Sequence, residues 1–214
     1  MKLKVLELFA GTRSIGKAFE EKGHEVYSVE WDKQHENIDL YADIATVTSE
    51  QILEEFGKPD IIWASPDCTT YSIAAISTHR HREDDGNLAP KSDKAVHSDE
   101  VNQHVLALIK ELNPKYYFIE NPRGGMRKMR FMKDIPRYTV TYCQYGDNRM
   151  KPTDIWTNHP NPNFKPMCKN GQPCHVSAPR GSKTGTQGLK GSVLRSKIPR
   201  ELCGHIVTIS EDLL

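Results

Sequence analysis

The sequence predicts an α/β fold with a mainly parallel sheet, and three observations carry this prediction. Short apolar segments bounded by turn residues recur along the chain, and amphipathic helical segments separate them. The segment 60–64 is apolar after its first residue, which is typical of a strand buried on both faces of a parallel sheet. Hydrophobic residues make up 37% of the 214 and charged residues 27%, a balance typical of a folded globular domain.

The predicted elements alternate between strand and helix. We predict strands over residues 4–9, 25–29, 40–42, 60–64, 116–119, 138–142 and 155–157. We predict helices over residues 13–22, 49–56 and 98–112, where apolar residues recur at helical spacing. Ser49 is the expected cap of the second helix. Residues 77–95 are polar and are expected to form a surface loop long enough to be functional.

The composition divides the chain into three parts. Residues 1–157 hold the predicted strands and helices and are expected to form one domain. Residues 158–197 are rich in Pro, Gly, Asn, Ser and Lys, and they have few large apolar side chains. They are therefore expected to form a small insertion without a core of its own. Residues 198–214 are expected to form a C-terminal helix that returns to the first domain.

Composition also excludes several classes of protein. No apolar run approaches the ~20 residues that a membrane span needs. The N-terminus lacks the long apolar core and the cleavage site of a signal peptide. Five cysteines are a sparse and odd number, which argues against a secreted disulfide scaffold. We therefore expect a cytoplasmic protein with reduced thiols and no membrane partner.

The charges are separated along the chain although the net charge is only +1. Residues 120–200 contain 16 Lys and Arg against 4 Asp and Glu, whereas the remaining residues contain 13 against 24. Residues 155–200 have eight basic side chains and no acidic one. A solvated surface usually mixes both signs, so this pattern indicates a polyanion such as nucleic acid. The alternative is that the acidic half covers the basic half within the fold.

The ends of the first three predicted strands form the first candidate site. A glycine turn follows the first strand, and it consists of Phe9, Ala10, Gly11 and Thr12. Glu30 ends the second strand, where a carboxylate can accept hydrogen bonds from both ribose hydroxyls of a nucleoside. Trp31 follows it, and Asp43 and Ile44 follow the third strand, where they could flank an adenine ring. The alternative is an ordinary glycine turn with solvated acids.

Two further strand ends carry groups with chemical potential. Cys68 follows the fourth strand, after Ser65 and Pro66, and a thiol at a strand end is expected to have a lower pKa than a thiol in the core. The alternative is an inert small hydrophobe. Glu120 directly follows the strand at 116–119 and is expected to be half-buried, protonated near neutral pH and able to act as an acid. The alternative is a capping or salt-bridged carboxylate.

Taken in order, these segments resemble the motifs of the DNA cytosine-5 methyltransferases. Residues 8–11, 30–32 and 43–44 resemble the first three motifs of that family. Residues 65–68 with 71–72 resemble its nucleophile motif, and residues 120–122 resemble its Glu-Asn-Val motif. The resemblance covers residues 3–157, and the cysteine and Glu-Asn motifs in series make it specific.

The resemblance implies a Rossmann-like S-adenosylmethionine-dependent methyltransferase fold and a small enzyme of bacterial or phage type. Carbon 5 of cytosine is a weak nucleophile until a thiolate adds at carbon 6, and an acid at ring nitrogen 3 stabilises the developing charge. Cys68 would be the nucleophile, Glu120 the acid, and Lys151 a basic residue of the eighth motif. The cofactor would contact the first candidate site together with Ser65 and Pro66. The target base would be flipped out of DNA, with the loop 77–95 as a lid.

The chain departs from the family pattern in four places. Asp67 and Thr69 stand where Pro and Gln are usual, and a negative charge beside Cys68 opposes thiolate formation unless it is paired. Pro122 replaces Val, and Thr153 stands where a second arginine would contact the base. No Gly-Asn-Ser-Val motif is present near the C-terminus, where residues 195–199 are the nearest counterpart. Two alternatives therefore stay open: action on RNA or a nucleotide, and a weakly active homologue that only binds nucleic acid.

The insertion at 158–197 stands where the family has a target-recognition lobe, and we expect it to contact DNA. The basic residues expected to meet DNA are Arg180, Lys183, Lys190, Arg195 and Lys197.

So small a segment needs a staple, and in a reducing compartment zinc is a better staple than a disulfide. Cys168, Cys174 and His175 are the candidate ligands, with His159 as a further candidate. The alternative is two free cysteines in a loop.

Overall fold

The central element of the protein is a seven-stranded sheet, seen in a computed structural model that describes residues 2–177 and 191–212. Its strands are Lys4–Leu8 (β1), Glu25–Glu30 (β2), Leu40–Tyr41 (β3), Ile61–Ala64 (β4), Tyr116–Pro122 (β7), Arg137–Thr141 (β8) and Pro152–Thr157 (β9). Two more strands, Arg80–Arg82 (β5) and Leu88–Pro90 (β6), form a separate antiparallel hairpin. The helices are Ser14–Glu21 (α1), Ser49–Glu55 (α2), Ile76–His79 (α3), Asp93–Leu112 (α4), Ser192–Ser196 (α5) and Arg200–Glu211 (α6).

The strand order is β3-β2-β1-β4-β7-β9-β8. The first five of these strands are parallel, and β9 runs antiparallel to both of its neighbours. This confirms the prediction of an α/β fold with a mainly parallel sheet. Leu8 pairs with Val29 on one side and with Ala64 on the other, and Ala64 pairs with Ile119. Four strands therefore end at one common edge.

Each face of the sheet is covered by helices, as a parallel sheet requires. Side chains alternate along β4, so that Ile62 lies in a core shared with α2 and α4. Trp63 points the other way, into a core shared with α1 and α6. Because both faces are buried, β4 reads as a continuous apolar run rather than an alternating one.

The prediction of a surface loop over residues 77–95 is wrong. These residues form α3, the β5–β6 hairpin and the start of α4. The hairpin turns at Gly86, whose φ of 86° favours glycine, and the amide of Glu83 donates to the carbonyl of Asn87. The hairpin is held because Arg80 is buried against α4, a contact that a polar local sequence does not reveal.

Two helix boundaries differ from the predictions because a different residue caps the helix. The hydroxyl of Ser92 accepts from the amide of Ala95, so α4 begins at Asp93, five residues before the predicted start. The hydroxyl of Thr48, rather than that of Ser49, caps α2 by accepting from the amide of Gln51.

The segment 158–177 lies against the sheet domain without regular secondary structure. The amide of Lys165 donates to the hydroxyl of Tyr145, and the amide of Cys168 donates to the hydroxyl of Thr141. These two bonds join the segment to β8 and to the 3₁₀ turn Tyr142–Tyr145 that follows it. No helix in the described part of the chain is long and apolar enough to cross a membrane.

Candidate active site at the carboxyl edge of the sheet

The turn after β1 and the end of β2 are joined by one carboxylate. Glu30 is 6% exposed, and its Oε2 accepts from the amide of Gly11 at 2.9 Å. Its Oε1 accepts from the amides of Trp31 and Asp32 at 2.9 and 3.0 Å. A carboxylate has about four acceptor positions, so three bonds leave about one for a ligand. Glu30 is thus fixed at the end of β2, where the sequence predicts a nucleoside site.

The backbone of the first turn is left-handed at several positions. Phe9 has a φ of 58°, Gly11 of 49° and Arg13 of 54°. Such angles are unusual for residues other than glycine, and they cluster where a backbone must bend sharply past a ligand. Ala10 is buried, and Thr12 is half-buried with its hydroxyl 3.0 Å from that of Ser14. The turn therefore presents its backbone, rather than long side chains, to the strand edge.

The other residues predicted to contact a cofactor differ in their surroundings. Trp31 is 67% exposed, so its indole is available to stack on a ligand. Ile44 is only 2% exposed and packs in the core, which leaves little of its surface for a ligand. Asp43 caps a 3₁₀ turn, because its Oδ1 accepts from the amide of Ala45 at 3.0 Å.

The loop after β4, which carries the predicted nucleophile, is fixed to β1 and β7. The amide of Ser65 donates to the carbonyl of Leu8, and the indole of Trp63 donates to the Ser65 hydroxyl at 2.6 Å. The fully buried Asn121 donates from Nδ2 to the carbonyl of Pro66 at 2.9 Å. Asn121, next to Glu120, therefore holds the backbone two residues before Cys68.

Three of the predicted catalytic groups act on one another electrostatically. Burial, Asp67 and Glu120 raise the pKa of Cys68, whereas the charge of Lys151 lowers it. The expectation of a lowered thiol pKa is therefore wrong, because Cys68 is shielded from solvent and has two carboxylates near it. The same Lys151 favours the ionised form of Glu120. The structure thus brings Cys68, Glu120 and Lys151 into one site.

Glu120 is positioned as a buried acid. It is 6% exposed, and burial raises its pKa, as the sequence predicted for a group that stays protonated. The buried hydroxyl of Tyr142 donates to its Oε1 at 3.1 Å. No sequence pattern predicts a role for Tyr142. Tyr142 follows β8, and it meets Glu120 of β7 only because β9 pairs with both strands.

Lys151 occupies a constrained position beside this pair. Its φ of 28° lies in the left-handed region, and its Nζ lies 4.6 Å from the centroid of the Tyr142 ring. Its Nζ also donates to the carbonyl of Arg195 at 2.8 Å. Burial lowers the pKa of Lys151, and the carboxylate of Glu120 opposes this shift. Thr153, which stands where the family has an arginine, is fully buried in β9.

Both oxygens of the Asp67 carboxylate have partners. Its Oδ1 accepts from the amide and hydroxyl of Thr69 at 3.0 and 2.7 Å. Its Oδ2 lies 3.5 Å from the ammonium of Lys94. The two unusual residues of the nucleophile motif thus bind each other, and part of the charge of Asp67 is balanced.

Sequence reasoning missed a buried ion pair that holds the far side of the same loop. Arg80 is 3% exposed and donates to both carboxylate oxygens of Asp99, at 2.7 and 3.0 Å. It also donates to the carbonyl and hydroxyl of Thr70, and the hydroxyl of Tyr71 donates to Asp99. The pattern of Asp99 and Asn102 on the buried face of α4 was the available signal. Both residues interrupt an otherwise apolar stripe.

A single loop, residues 147–151, binds Val176 and residues 194–197, which belong to the acid-free part of the chain. The carbonyl of Asn148 accepts from the amide of Val176 at 2.8 Å. Arg149, which pairs with Asp147, donates to the carbonyls of Leu194, Arg195 and Lys197 at 3.3 Å each. Described residues on both sides of 178–190 are therefore bound to the loop that carries Lys151.

The residues predicted to meet DNA fall into two groups. Arg180, Lys183 and Lys190 lie outside the described residues. Arg195 and Lys197 are exposed, and within residues 2–177 and 191–212 neither forms an ion pair with a carboxylate. Two other basic side chains of the second half do pair with acids of the first half, Arg130 with Asp85 and Arg200 with Glu21. Charge pairing within the fold is therefore partial.

The candidate metal ligands come together with a fourth residue that the sequence analysis did not include. The ligand atoms of Cys143, Cys168, Cys174 and His175 all lie within 4.8 Å of one another. The suggestion of His159 is wrong, because its Nε2 lies 3.1 Å from the carbonyl of Ile209 and its ring packs on another aromatic ring. Cys143 lies 25 residues before Cys168 in the chain, so no spacing motif could reveal it.

The strand order is that of a Rossmann-like methyltransferase fold. The fold is similar to that of the Dnmt2 methyltransferase of S. pombe, with a TM-score of 0.52 and 14% identity. It is equally similar to the methyltransferase EhMeth of Entamoeba histolytica, with a TM-score of 0.52 and 14% identity. Each match covers 73% of this chain and 49% or 52% of the neighbour, so the chain spans about half the length of each.

The sequence comparisons specify the family within this class. The family model for C-5 cytosine-specific DNA methylase matches residues 3–136. The chain therefore belongs to the C-5 cytosine-specific DNA methylase family. A curated relative from Frog virus 3 (isolate Goorha) bears the name "Probable DNA (cytosine-5)-methyltransferase" and is 27% identical over 219 residues. That match covers 92% of this chain and 95% of the relative.

Proposed function

We propose that this protein transfers a methyl group from S-adenosylmethionine to carbon 5 of cytosine in DNA, through a covalent adduct with Cys68. The observation that carries the proposal is the meeting of the Cys68 thiol, which follows β4, and the buried Glu120 carboxyl of β7, whose pKa burial raises. Cys68 and Glu120 act on each other electrostatically, and both feel the charge of Lys151. A nucleophile and an acid so close together can engage carbon 6 and nitrogen 3 of one pyrimidine ring.

The proposed reaction uses each group in turn. The Cys68 thiol loses its proton to solvent, and its sulfur adds to carbon 6 while Glu120 protonates ring nitrogen 3. The ring electrons shift to carbon 5, which becomes nucleophilic enough to take the methyl group. Solvent then takes the proton from carbon 5, the thiolate leaves carbon 6, and ring nitrogen 3 returns its proton to Glu120, which restores the aromatic ring and the acid. Lys151 supplies positive charge that favours the thiolate form of Cys68.

The cofactor site is proposed at the ends of β1 and β2. S-adenosylmethionine, when bound, supplies an electrophilic methyl group on a sulfonium. Glu30 would accept from one ribose hydroxyl with its remaining acceptor position, and the exposed indole of Trp31 would stack on the adenine. The backbone of the left-handed turn at residues 9–13 and the fixed loop at Ser65 would line the rest of the site.

DNA is the proposed partner of residues 158–197, which contain basic side chains and no acidic one. Val176 and residues 194–197 are bound to the loop 147–151, which includes Lys151. Positively charged residues placed there would bind phosphates around a flipped-out cytosine, because the target carbon is hidden inside a duplex. Arg149 pairs with the nearby Asp147. Arg195 and Lys197 are exposed, and within the described residues neither pairs with a carboxylate, so their charges can bind phosphates.

The test is methyl transfer from labelled S-adenosylmethionine to DNA, followed by trapping on DNA that carries 5-fluorocytosine at the target. The fluorine blocks the last elimination, so a covalent complex should accumulate and map to Cys68. Cys68→Ser should abolish transfer and trapping while it preserves cofactor binding, because an alcohol is a much weaker nucleophile than a thiolate.

Two controls make the result decisive. Cys203→Ala changes a buried thiol of α6 and should keep both signals. Transfer to RNA or free nucleotides but not to DNA would contradict the substrate. DNA binding without any methyl transfer would favour a protein that only binds DNA. The charge of Asp67 would fit that interpretation, because it raises the pKa of Cys68 and so disfavours the thiolate.

A further inference from the structure

Four potential metal ligands lie together outside the site proposed for methyl transfer. Cys143 belongs to the 3₁₀ turn after β8, and Cys168, Cys174 and His175 belong to the segment 158–177. We define these four residues as the Cys/His cluster. Cys143, Cys168 and His175 are buried, and Cys174 is exposed.

The separations within the cluster fit a tetrahedral metal centre. The Sγ atoms of Cys168 and Cys174 are 3.3 Å apart, and the Nδ1 of His175 lies 3.7 and 3.6 Å from them. Zinc binds sulfur at ~2.3 Å and nitrogen at ~2.0 Å, so tetrahedral ligands lie about 3.3–3.8 Å apart. These three ligand atoms are already near these separations, and the Sγ of Cys143 lies within 4.8 Å of each of them.

The second nitrogen of the histidine also has a suitable neighbour. Nε2 accepts from the amide of Gly171 at 3.4 Å; if Nδ1 binds a metal, Nε2 carries the proton and donates to the Oδ1 of Asn170, which also lies 3.4 Å away. An acceptor at this position fixes the tautomer and the ring orientation of a metal-binding histidine. Gln144 provides a further polar contact, because its Nε2 lies 3.6 Å from the Sγ of Cys174. Hydrogen bonds to thiolate sulfur are a usual part of the surroundings of such sites.

A disulfide explains the cluster less well than a metal does. A bond between Cys168 and Cys174 would leave Cys143 and His175 without a role, although all four ligand atoms converge. Four protein ligands also leave no open position for substrate, which is the pattern of structural rather than catalytic zinc.

We propose that the Cys/His cluster binds one structural zinc ion, which fastens the segment 158–177 to the turn that carries Tyr142. Cys143 is the residue next to Tyr142, whose hydroxyl donates to Glu120. The segment itself is poor in large apolar residues, so a metal would supply the stability that a small core cannot. The ion would thereby hold residues 174–176 beside the loop 147–151, which includes Lys151.

The proposal is tested by the zinc content of the full chain, purified under reducing conditions and measured by elemental mass spectrometry. We expect one zinc ion per chain in the wild type and a small fraction of that in Cys143→Ser and His175→Ala. Cys203→Ala is the matched control, because its thiol is buried in α6 and lies outside the cluster. The control should keep its zinc. This readout needs no methyl transfer, so its failure is separate from failure of the proposed function.

Because loss of a ligand can unfold the protein, the wild type is also reconstituted with Co²⁺ after its metal is removed. Strong visible absorption of tetrahedral Co²⁺, with a near-ultraviolet band from thiolate, would support the site. A weak spectrum of the octahedral type would overturn it. The proposal would also be overturned by metal-free, folded wild type, or by a Cys168–Cys174 disulfide found after rapid alkylation of cell extracts.

Discussion

At the scale of single residues, the charge beside the nucleophile is the feature that most directly sets reactivity. Asp67 raises the pKa of Cys68, and its pairing with Thr69 and Lys94 balances only part of that charge. Asp67→Asn keeps an acceptor for the amide of Thr69 but removes the charge. We expect the rising limb of the profile of kcat/KM against pH to move to lower pH, because the thiol then ionises more easily.

A matched control tests whether that shift is local. Asp84→Asn also removes one negative charge, but Asp84 lies in the hairpin turn and is not among the charges that act on Cys68. Its profile should coincide with that of the wild type. A shift of equal size in both variants would mean that net charge, rather than the carboxylate beside the thiol, sets the profile.

The candidate site shows which residue-scale features a sequence can reveal. The order of predicted strands already implied that Cys68 and Glu120 converge, whereas Lys151 was indicated only by the family resemblance. Tyr142, Asn121 and the pair of Arg80 and Asp99 were not predicted, because each acts through a contact between residues far apart in the chain. The direction of the Cys68 pKa was missed for the same reason, since burial depends on packing rather than on neighbours in sequence.

At the scale of elements, the attachment of α1 to β1 depends on a missing side chain. The amide of Gly16 donates to the buried Glu7 at 2.9 Å, and a Cβ on Gly16 would lie 2.4 Å from the Glu7 carboxylate. Alanine normally stabilises a helix relative to glycine by about 1 kcal/mol. Here we expect Gly16→Ala to destabilise the fold by about 1–3 kcal/mol, the range for overpacking, as measured by urea unfolding.

The same substitution elsewhere separates helix propensity from packing. Gly204 lies in the exposed part of α6, and a Cβ there would meet nothing within 4 Å. Gly204→Ala should therefore stabilise the protein by up to about 1 kcal/mol. Equal effects of the two changes, in either direction, would show that the contact with Glu7 does not govern the position of α1.

Strand centres were predictable and element boundaries were less so. The apolar runs of β1, β4 and β7 are long enough to mark buried strands on their own, and all three are present. The hairpin at residues 80–90 was missed because Arg80, whose buried side chain anchors it, is charged and is compensated by Asp99 of α4. A charged residue is predicted to be exposed unless its ion-pair partner is known.

At the scale of the whole molecule, one buried carboxyl couples stability to pH. Burial raises the pKa of Glu7 to about 7, against an ordinary value of 4.5. The folded state then binds a proton that the unfolded chain has lost between these values, so stability should fall as pH rises from about 4.5 to about 7. Glu7→Gln cannot ionise and should escape this loss, which amounts to up to about 3 kcal/mol.

The measurement is the free energy of unfolding of both proteins across that pH range. The difference between Glu7→Gln and the wild type should move in favour of the variant as the pH rises. A constant difference would mean that Glu7 is ionised in the folded protein throughout, with Arg13, 3.9 Å away, as its counter-ion.

The distribution of basic residues predicts how DNA affinity responds to salt. Arg195 and Lys197 have exposed side chains, whereas their backbone carbonyls bind Arg149. Replacing both side chains with alanine therefore leaves those anchoring bonds in place. If each side chain neutralises one phosphate, the slope of log affinity against log salt should lessen by up to about 2.

Two lysines at the opposite edge of the sheet provide the control. Lys22 precedes β2 and Lys58 precedes β4, and both are exposed. Their double replacement by alanine removes the same charge but should preserve the slope. A similar change in both double variants would indicate attraction by net charge alone, and DNA would then not lie on the segment beside Lys151.

The uneven burial of the three tryptophans gives the protein an optical reporter of its own. Trp63 and Trp156 are 1% exposed, whereas Trp31 is 67% exposed and lies beside Glu30. An indole in water emits at longer wavelengths than an indole in an apolar core, so the red edge of the intrinsic fluorescence belongs to Trp31. A ligand that stacks on this ring should quench the red edge and leave the blue edge of the buried pair as an internal reference. Occupancy of the proposed nucleoside site can thus be followed by titration without a label, and Trp31→Phe supplies the blank.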